Sequence, residues 1–149
     1  MNKIFILLFS TVFLAASCNS SLPQFNDAAV QINNKKLNVF VADEEQEQRL
    51  GLAVRKKISD EEGMLFTFDK PLMPTFWMKD MKFPIDIIWI KNNQVVEVDR
   101  DLAPQPGVEN QELKLYKPKS EVDAVLEVNA GWAKKNNLSI GDEVKVELK

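Results

Sequence analysis

Two lysines and two aspartates interrupt the most unusual run of the chain, the otherwise largely apolar TFWMKDMKFPIDIIWI at positions 75–90. Charges placed this way serve one of two ends: a solvated turn between buried strands, or a site in which a carboxyl group and a cation meet a polar ligand. Lys79, Asp80 and Lys82 precede Pro84, which has no amide to donate and holds Phe83 in extended geometry, so a turn accounts for all three. Asp86 needs more. It stands one residue inside an isoleucine-rich strand, on the face of Ile88 and Ile90, where an unpaired carboxylate costs several kcal/mol to desolvate. A cation about 4 Å away returns on the order of 4 kcal/mol at an effective dielectric near 20, and Lys79 and Arg55 are the candidates. The alternative is a structural latch in which Asp86 accepts backbone amides of its own loop.

Further side chains could share a cleft with Asp86. Arg55, after the first predicted helix, could clamp an anion through two parallel hydrogen bonds, or bridge Asp86 or Glu62 structurally. Glu62 precedes Gly63 ahead of a core strand and is read either as the rim of a cleft or as an exposed turn. Trp77, Trp89 and Trp132 could stack on a sugar or pack in the core. Glu127, between Leu126 and Val128, falls on the outward side of an alternating strand and is read as solvated. Tyr116 sits in the lysine-rich loop LKLYKPKS. Asp86 with Glu62 is the one carboxylate pair that suggests glycosidic chemistry, which requires roughly 5 to 9.5 Å between the two groups across a common cleft.

What the composition removes is as informative. The chain has no histidine and one cysteine, Cys18. The usual general base near neutral pH and the commonest zinc ligand are therefore missing, and a metal site would have to be built from oxygen. A lone cysteine allows no disulfide within the monomer. No metal and no cofactor are expected. The formal net charge of −3, without a basic stripe, argues against a nucleic-acid partner.

The N-terminus, MNKIFILLFSTVFLAASC, reads as a processing signal: Lys3 supplies the positive start, Ile4–Ala16 the apolar stretch, and Ala15, Ala16 and Ser17 the small residues before Cys18. The apolar stretch falls short of the roughly 20 residues needed to span a bilayer. Small residues running directly into cysteine have the form of a bacterial lipoprotein signal. The expected organisation is a signal peptide over 1–17, a lipid-anchored tether over 18–27 beginning at acylated Cys18, and one domain over 28–149. At about 130 residues the mature chain can bury about two-thirds of its unfolded surface, enough for a core without staples.

Strands must position these side chains. Leu37, Val39 and Val41 alternate with polar positions, as do Met64, Phe66 and Phe68; Val122, Ala124, Leu126 and Val128; and Val144, Val146 and Leu148. Ile85–Ile90 is apolar on both faces apart from Asp86, which predicts a central strand, with Gln94–Asp99 as its hairpin partner across Lys91-Asn92-Asn93. Two short helices are predicted. Asp43 caps the first, with Gln46 in the capping-box position and Gly51 at the end; Asn129 caps the second, which ends at Asn136 or Asn137. The fold class is mostly β with two short helices: a compact antiparallel barrel or strongly coiled sheet, in a single domain.

Four phrases, RLGLAVRKKI at 49–58, EEGMLFTF at 61–68, FWMKDMKFPIDIIWI at 76–90 and LEVNAGWAKKNNLSIGDEVKV at 126–146, occur in an order that closely resembles the bacterial and archaeal family known as domain of unknown function 192, the uncharacterised conserved ACR proteins. The resemblance covers nearly all of 36–148, and FWMK followed by P-x-D-I is its most specific part. It implies a small β-rich domain, frequently secreted or membrane-anchored, and no established reaction. Members usually carry methionine at the position of Ala53 and asparagine-threonine at Asp80-Met81. Many also have two cysteines within the stretch matching Ala103–Tyr116, where this chain has none.

Three functional expectations follow. The first is an extracytoplasmic domain, anchored to the bilayer at the cell envelope through acylated Cys18, that binds a small polar ligand or glycan without catalysis, in a cleft of Arg55, Glu62, Trp77, Lys79 and Asp86. The second is a carboxylate-dependent hydrolase or lyase acting on envelope carbohydrate. The third is a structural subunit of an envelope assembly.

Overall fold

The computed structural model describes residues 25–148. The expected signal peptide and acylated Cys18 lie outside the described residues, as does most of the tether. Nine strands and two helices run in the order β1 (Asn26–Ile32), β2 (Lys35–Ala42), α1 (Glu45–Leu50), β3 (Glu62–Leu72), β4 (Phe76–Trp77), β5 (Ile85–Lys91), β6 (Gln94–Leu102), β7 (Leu115–Tyr116), β8 (Val122–Asn129), α2 (Trp132–Lys135) and β9 (Val144–Leu148). Seven strands form one sheet in the order β6-β5-β8-β3-β2-β1-β9, and β4 pairs with β7 as a separate ribbon. The sheet is a strongly curled half-barrel.

The curl brings its two edges together at one end. Val95 of β6 donates to the carbonyl of Asp142 at 2.9 Å, Gly141 donates back to Val95 at 2.7 Å, and Val144 of β9 donates to Asn93 at 2.8 Å. Backbone groups that would stay unpaired on open edge strands are thus satisfied there. Asn92 and Asn93, with φ of 50° and 60°, make the two-residue turn predicted between β5 and β6.

One pairing departs from the antiparallel expectation: β2 and β3 run parallel, with Val39 opposite Gly63 and Val41 opposite Leu65. Parallel neighbours require a crossover, and the segment from Asp43 to Glu61, carrying α1, supplies it. The helix caps also differ from the sequence reading. α1 starts one residue later than predicted, with Glu44 as N-cap and Glu47 completing the capping box. α2 is capped by Gly131 at φ 81°, because the Asn129 side chain is taken by the carbonyl of Ile58 (3.1 Å) and the carboxylate of Asp60 (3.3 Å).

Both faces of the sheet are covered. One apolar cluster draws residues from all seven strands, including Val30, Val39, Leu65, Ile88, Leu126 and Val144, and therefore fills the concave side; Trp132 and Ala133 of α2 close it. The second cluster, on the convex side, contains Met64, Phe66, Ile87, Trp89 and Val125, and is roofed by Leu52, Phe76 and Met78. β8 lies between β3 and β5 and is buried on both sides.

Close packing at this centre requires a glycine. A Cβ on Gly63 would stand 2.6 Å from the carbonyl oxygen of Glu127 and 3.3 Å from the side chains of Leu126 and Val128. The clash is with backbone, so Gly63→Ala must push β3 and β8 apart. Its expected cost is about 2–3 kcal/mol in urea unfolding, and an unchanged midpoint would mean that the strands separate freely.

Candidate functional site

Asp86 is the latch. It is completely buried, and among the described residues no lysine or arginine forms an ion pair with it. Its Oδ1 accepts the amides of Asp101 (2.9 Å) and Gly131 (3.1 Å), and its Oδ2 accepts the amide of Ala133 (2.9 Å). The donors come from β6 and the start of α2, not from the local loop. The ladder between β5 and β6 shifts register between Ile85 and Ile87. Asp101 lies in the resulting bulge at φ 55°, and Gly131 is also left-handed. Asp86 thus satisfies amides that the ladder and the helix leave unpaired, and ties β6 and α2 to β5.

Arg55 and Glu62 form a neighbourhood of their own. The Arg55 guanidinium lies 3.3 Å over the ring of Phe40. Glu62 accepts the Ser59 amide at 2.7 Å, and that hydrogen bond, with the charge of Arg55 as a smaller contribution, holds its carboxyl below the usual range. Neither residue lines a pocket with Asp86. The carboxylate pair considered for glycosidic chemistry is therefore divided: one member is sealed in the concave core and the other caps a turn.

Of the expected cleft residues, Trp77 and Lys79 do meet. They line a pocket of about 440 Å³ on the convex side, together with Leu52, Phe66, Phe76 and Glu127. Its walls have identifiable supports. Gln48 pins α1 by donating to the carbonyls of Ala42 (3.3 Å) and Thr67 (3.1 Å). Lys82 clips the Asp80 turn to the segment after α1, donating to Ala53 at 2.7 Å and to Asp80 at 3.1 Å. Phe76 stacks edge-on against Phe66 (4.9 Å) and Trp89 (5.5 Å), which fixes the ribbon of β4 and β7 over the sheet.

The tryptophans divide by exposure. Trp89 and Trp132 are core residues whose indole N–H groups are satisfied by Asp99 (2.9 Å) and by the Asp60 carbonyl (3.1 Å). Trp77 is 46% exposed, opposite the equally open Leu115 on β7.

Glu127 corrects the sequence reading most sharply. It is buried, not solvated, at 5% exposure. It sits opposite Met64 on β3 and Ile87 on β5, both fully buried, and its Oε2 makes no hydrogen bond. Burial among these apolar neighbours pushes its carboxyl up from 4.5 to about 8. The shift favours the protonated, neutral form near pH 7, with an O–H to donate, in a residue that lines the pocket. Its concealment in the sequence has a plain cause: alternation assigns one face of a strand to solvent, whereas β8 has none. The available signal was Ile85–Ile90, since a strand apolar on both faces implies covered neighbours.

A curled seven-stranded mixed sheet with a helix in its concavity, a two-stranded ribbon, and a pocket lined by Glu127 on its convex face defines a small, single-domain β protein. The chain belongs to the DUF192 family, described as uncharacterized ACR, whose model matches residues 28–146. Among solved structures it is similar to a "putative transcription regulator" from Sinorhizobium meliloti 1021, with TM-score 0.76 and 23% identity over 85% of this chain and 98% of that one. It is also similar to a protein of unknown function from Novosphingobium aromaticivorans DSM 12444, with TM-score 0.68 and 29% identity over 80% of this chain and 83% of that one. The first likeness concerns the fold alone. No curated protein matches.

Proposed function

We propose that this DUF192 domain is a binding module held at the cell envelope by acylated Cys18, taking a small polar ligand with an apolar body in the pocket of Trp77, Lys79 and Glu127. The observation that carries the reading is Glu127: a buried carboxyl, one oxygen of which has no hydrogen-bond partner, in a residue that lines the pocket. Buried polar groups are ordinarily satisfied within the protein, so one left without a partner in a residue that lines a cavity supports an external partner. The volume falls within the roughly 300–1,000 Å³ of small-molecule sites. Three aromatic rings supply apolar wall, and Lys79 makes no hydrogen bond or ion pair among the described residues. Support for binding over hydrolysis comes from the separation of Asp86 from Glu62.

The test is an NMR titration of the isotope-labelled full chain with a set of neutral sugars, short carboxylic acids and their amides. Shifts are expected to cluster at Trp77, Lys79 and Met81. Trp77→Ala is expected to weaken binding about three- to tenfold, the worth of one stacked ring. Shifts confined to other surfaces, or none from any probe, would contradict the proposal.

A further inference from the structure

The polar equipment of the pocket narrows the class of ligand. Among the lining residues, the donors of Gln48 are committed to backbone carbonyls, and Arg49 is paired with Glu45 at 2.6 Å. Lys79, Asp80 and Glu127 are left, with the Thr75 hydroxyl and the Trp77 indole N–H. No carboxylate in the described chain pairs with Lys79, and no donor reaches the Glu127 Oε2. Around Glu127, β3 presents Met64 and Phe66, and β5 presents Ile87 and Trp89, none of them charged at ordinary pH. The charged groups facing the pocket are Arg49, from α1, with Lys79 and Asp80 from the turn after β4.

We infer that the pocket takes a carboxylate on an apolar or aromatic body, one oxygen of which accepts a hydrogen bond from the Glu127 carboxyl while the Lys79 ammonium balances the charge. This rests on the reading of the pocket as a ligand site and specifies what that site selects. An acid O–H donating to a carboxylate is charge-assisted, short and roughly twice as strong as a neutral pair. A cationic ligand would instead require Glu127 ionised between Met64 and Ile87, where no donor supports it. A neutral ligand would leave the Lys79 charge unused. The rings of Phe66, Phe76 and Trp77 suit a planar or aliphatic body rather than a second charge.

Protonation of Glu127 then becomes a condition of binding. In the acid form it is the donor. Once ionised, it repels the ligand carboxylate and competes for Lys79. Raised to about 8, its titration places loss of affinity on the alkaline side, well above the pH at which the ligand itself ionises.

Benzoate and benzamide are matched probes, nearly equal in shape and different in charge. By titration of the full chain near pH 6, benzoate is expected to bind about tenfold tighter than benzamide, and Lys79→Gln to remove most of that advantage. Raising the pH to about 9.5 is expected to weaken benzoate at least tenfold while benzamide changes less than about twofold. Equal or tighter binding of benzamide, with shifts at the same pocket residues, overturns the carboxylate inference and leaves the pocket reading standing. Absence of shifts at Trp77, Lys79 and Met81 with either probe overturns both.

Discussion

Replacing Asp86 by asparagine is expected to lower the free energy of unfolding by about 2–3 kcal/mol, the cost of leaving a buried backbone amide without its acceptor. Three amides converge on its two oxygens from Asp101, Gly131 and Ala133. Asparagine keeps one acceptor oxygen and turns an NH₂ towards at least one of these donors, so an amide is left unsatisfied in the concave core. The change also releases β6 and α2 from β5, which is how a single oxygen affects three elements. Urea unfolding measures the loss. Any variant molecules that remain folded should bind pocket probes normally, because Asp86 lies on the opposite face of the sheet from Glu127. A stable variant with impaired binding would return Asp86 to the functional site.

Glu127→Gln is expected to act in the opposite direction, raising stability at pH 7 by about 3 kcal/mol. The sign follows from the direction of the shift. In the folded chain the carboxyl titrates near 8, against 4.5 for the free group. Between these values the folded state keeps a proton that the unfolded state has released. The contribution of Glu127 to stability is therefore greatest below about 4.5, falls by about 1.4 kcal/mol per pH unit through the window, and levels off above about 8. Glutamine resembles the protonated acid in shape and cannot ionise, so the slope disappears with the penalty. It should also remove the alkaline loss of benzoate affinity, since its NH₂ donates at every pH. Equal stabilities and equal slopes for the two proteins would show that Glu127 is solvated.

The contrast between these two carboxyl groups also measures what the sequence discloses. Asp86 is legible as a problem, because a charge inside Ile85–Ile90 demands compensation; its donors are not, because they come from residues that only the folded sheet brings near. Glu127 is hidden by a sound rule used beyond its domain, as alternation marks a solvent face only in strands that have one. The strands β2, β3, β8 and β9 follow from their apolar periodicity, and β5 from being apolar on both faces. β1 does not, since its start at Asn26 lies inside the stretch read as tether. The parallel pairing of β2 with β3 is equally silent, because crossover geometry leaves no periodic trace. Around α1, Asp43 is the more favourable residue type for the cap, yet the Glu47 side chain, which accepts from the Asp43 and Glu44 amides, accompanies a register with Glu44 as N-cap. Trp77, Trp89 and Trp132 look alike in sequence. Only the pairing of β4 with β7 leaves Trp77 at the surface.

The account depends on an acid kept neutral by Met64, Ile87 and the surrounding core while it faces an open pocket. The most direct measurement is an NMR titration of the Glu127 side-chain carboxyl carbon in the folded full chain, assigned by its disappearance in Glu127→Gln. A midpoint near 8 is expected, moving higher when benzoate is bound. A midpoint in the ordinary carboxylate range, near 4.5, would mean that water or a cation already serves this carboxyl, and the acid-floored pocket would have no basis.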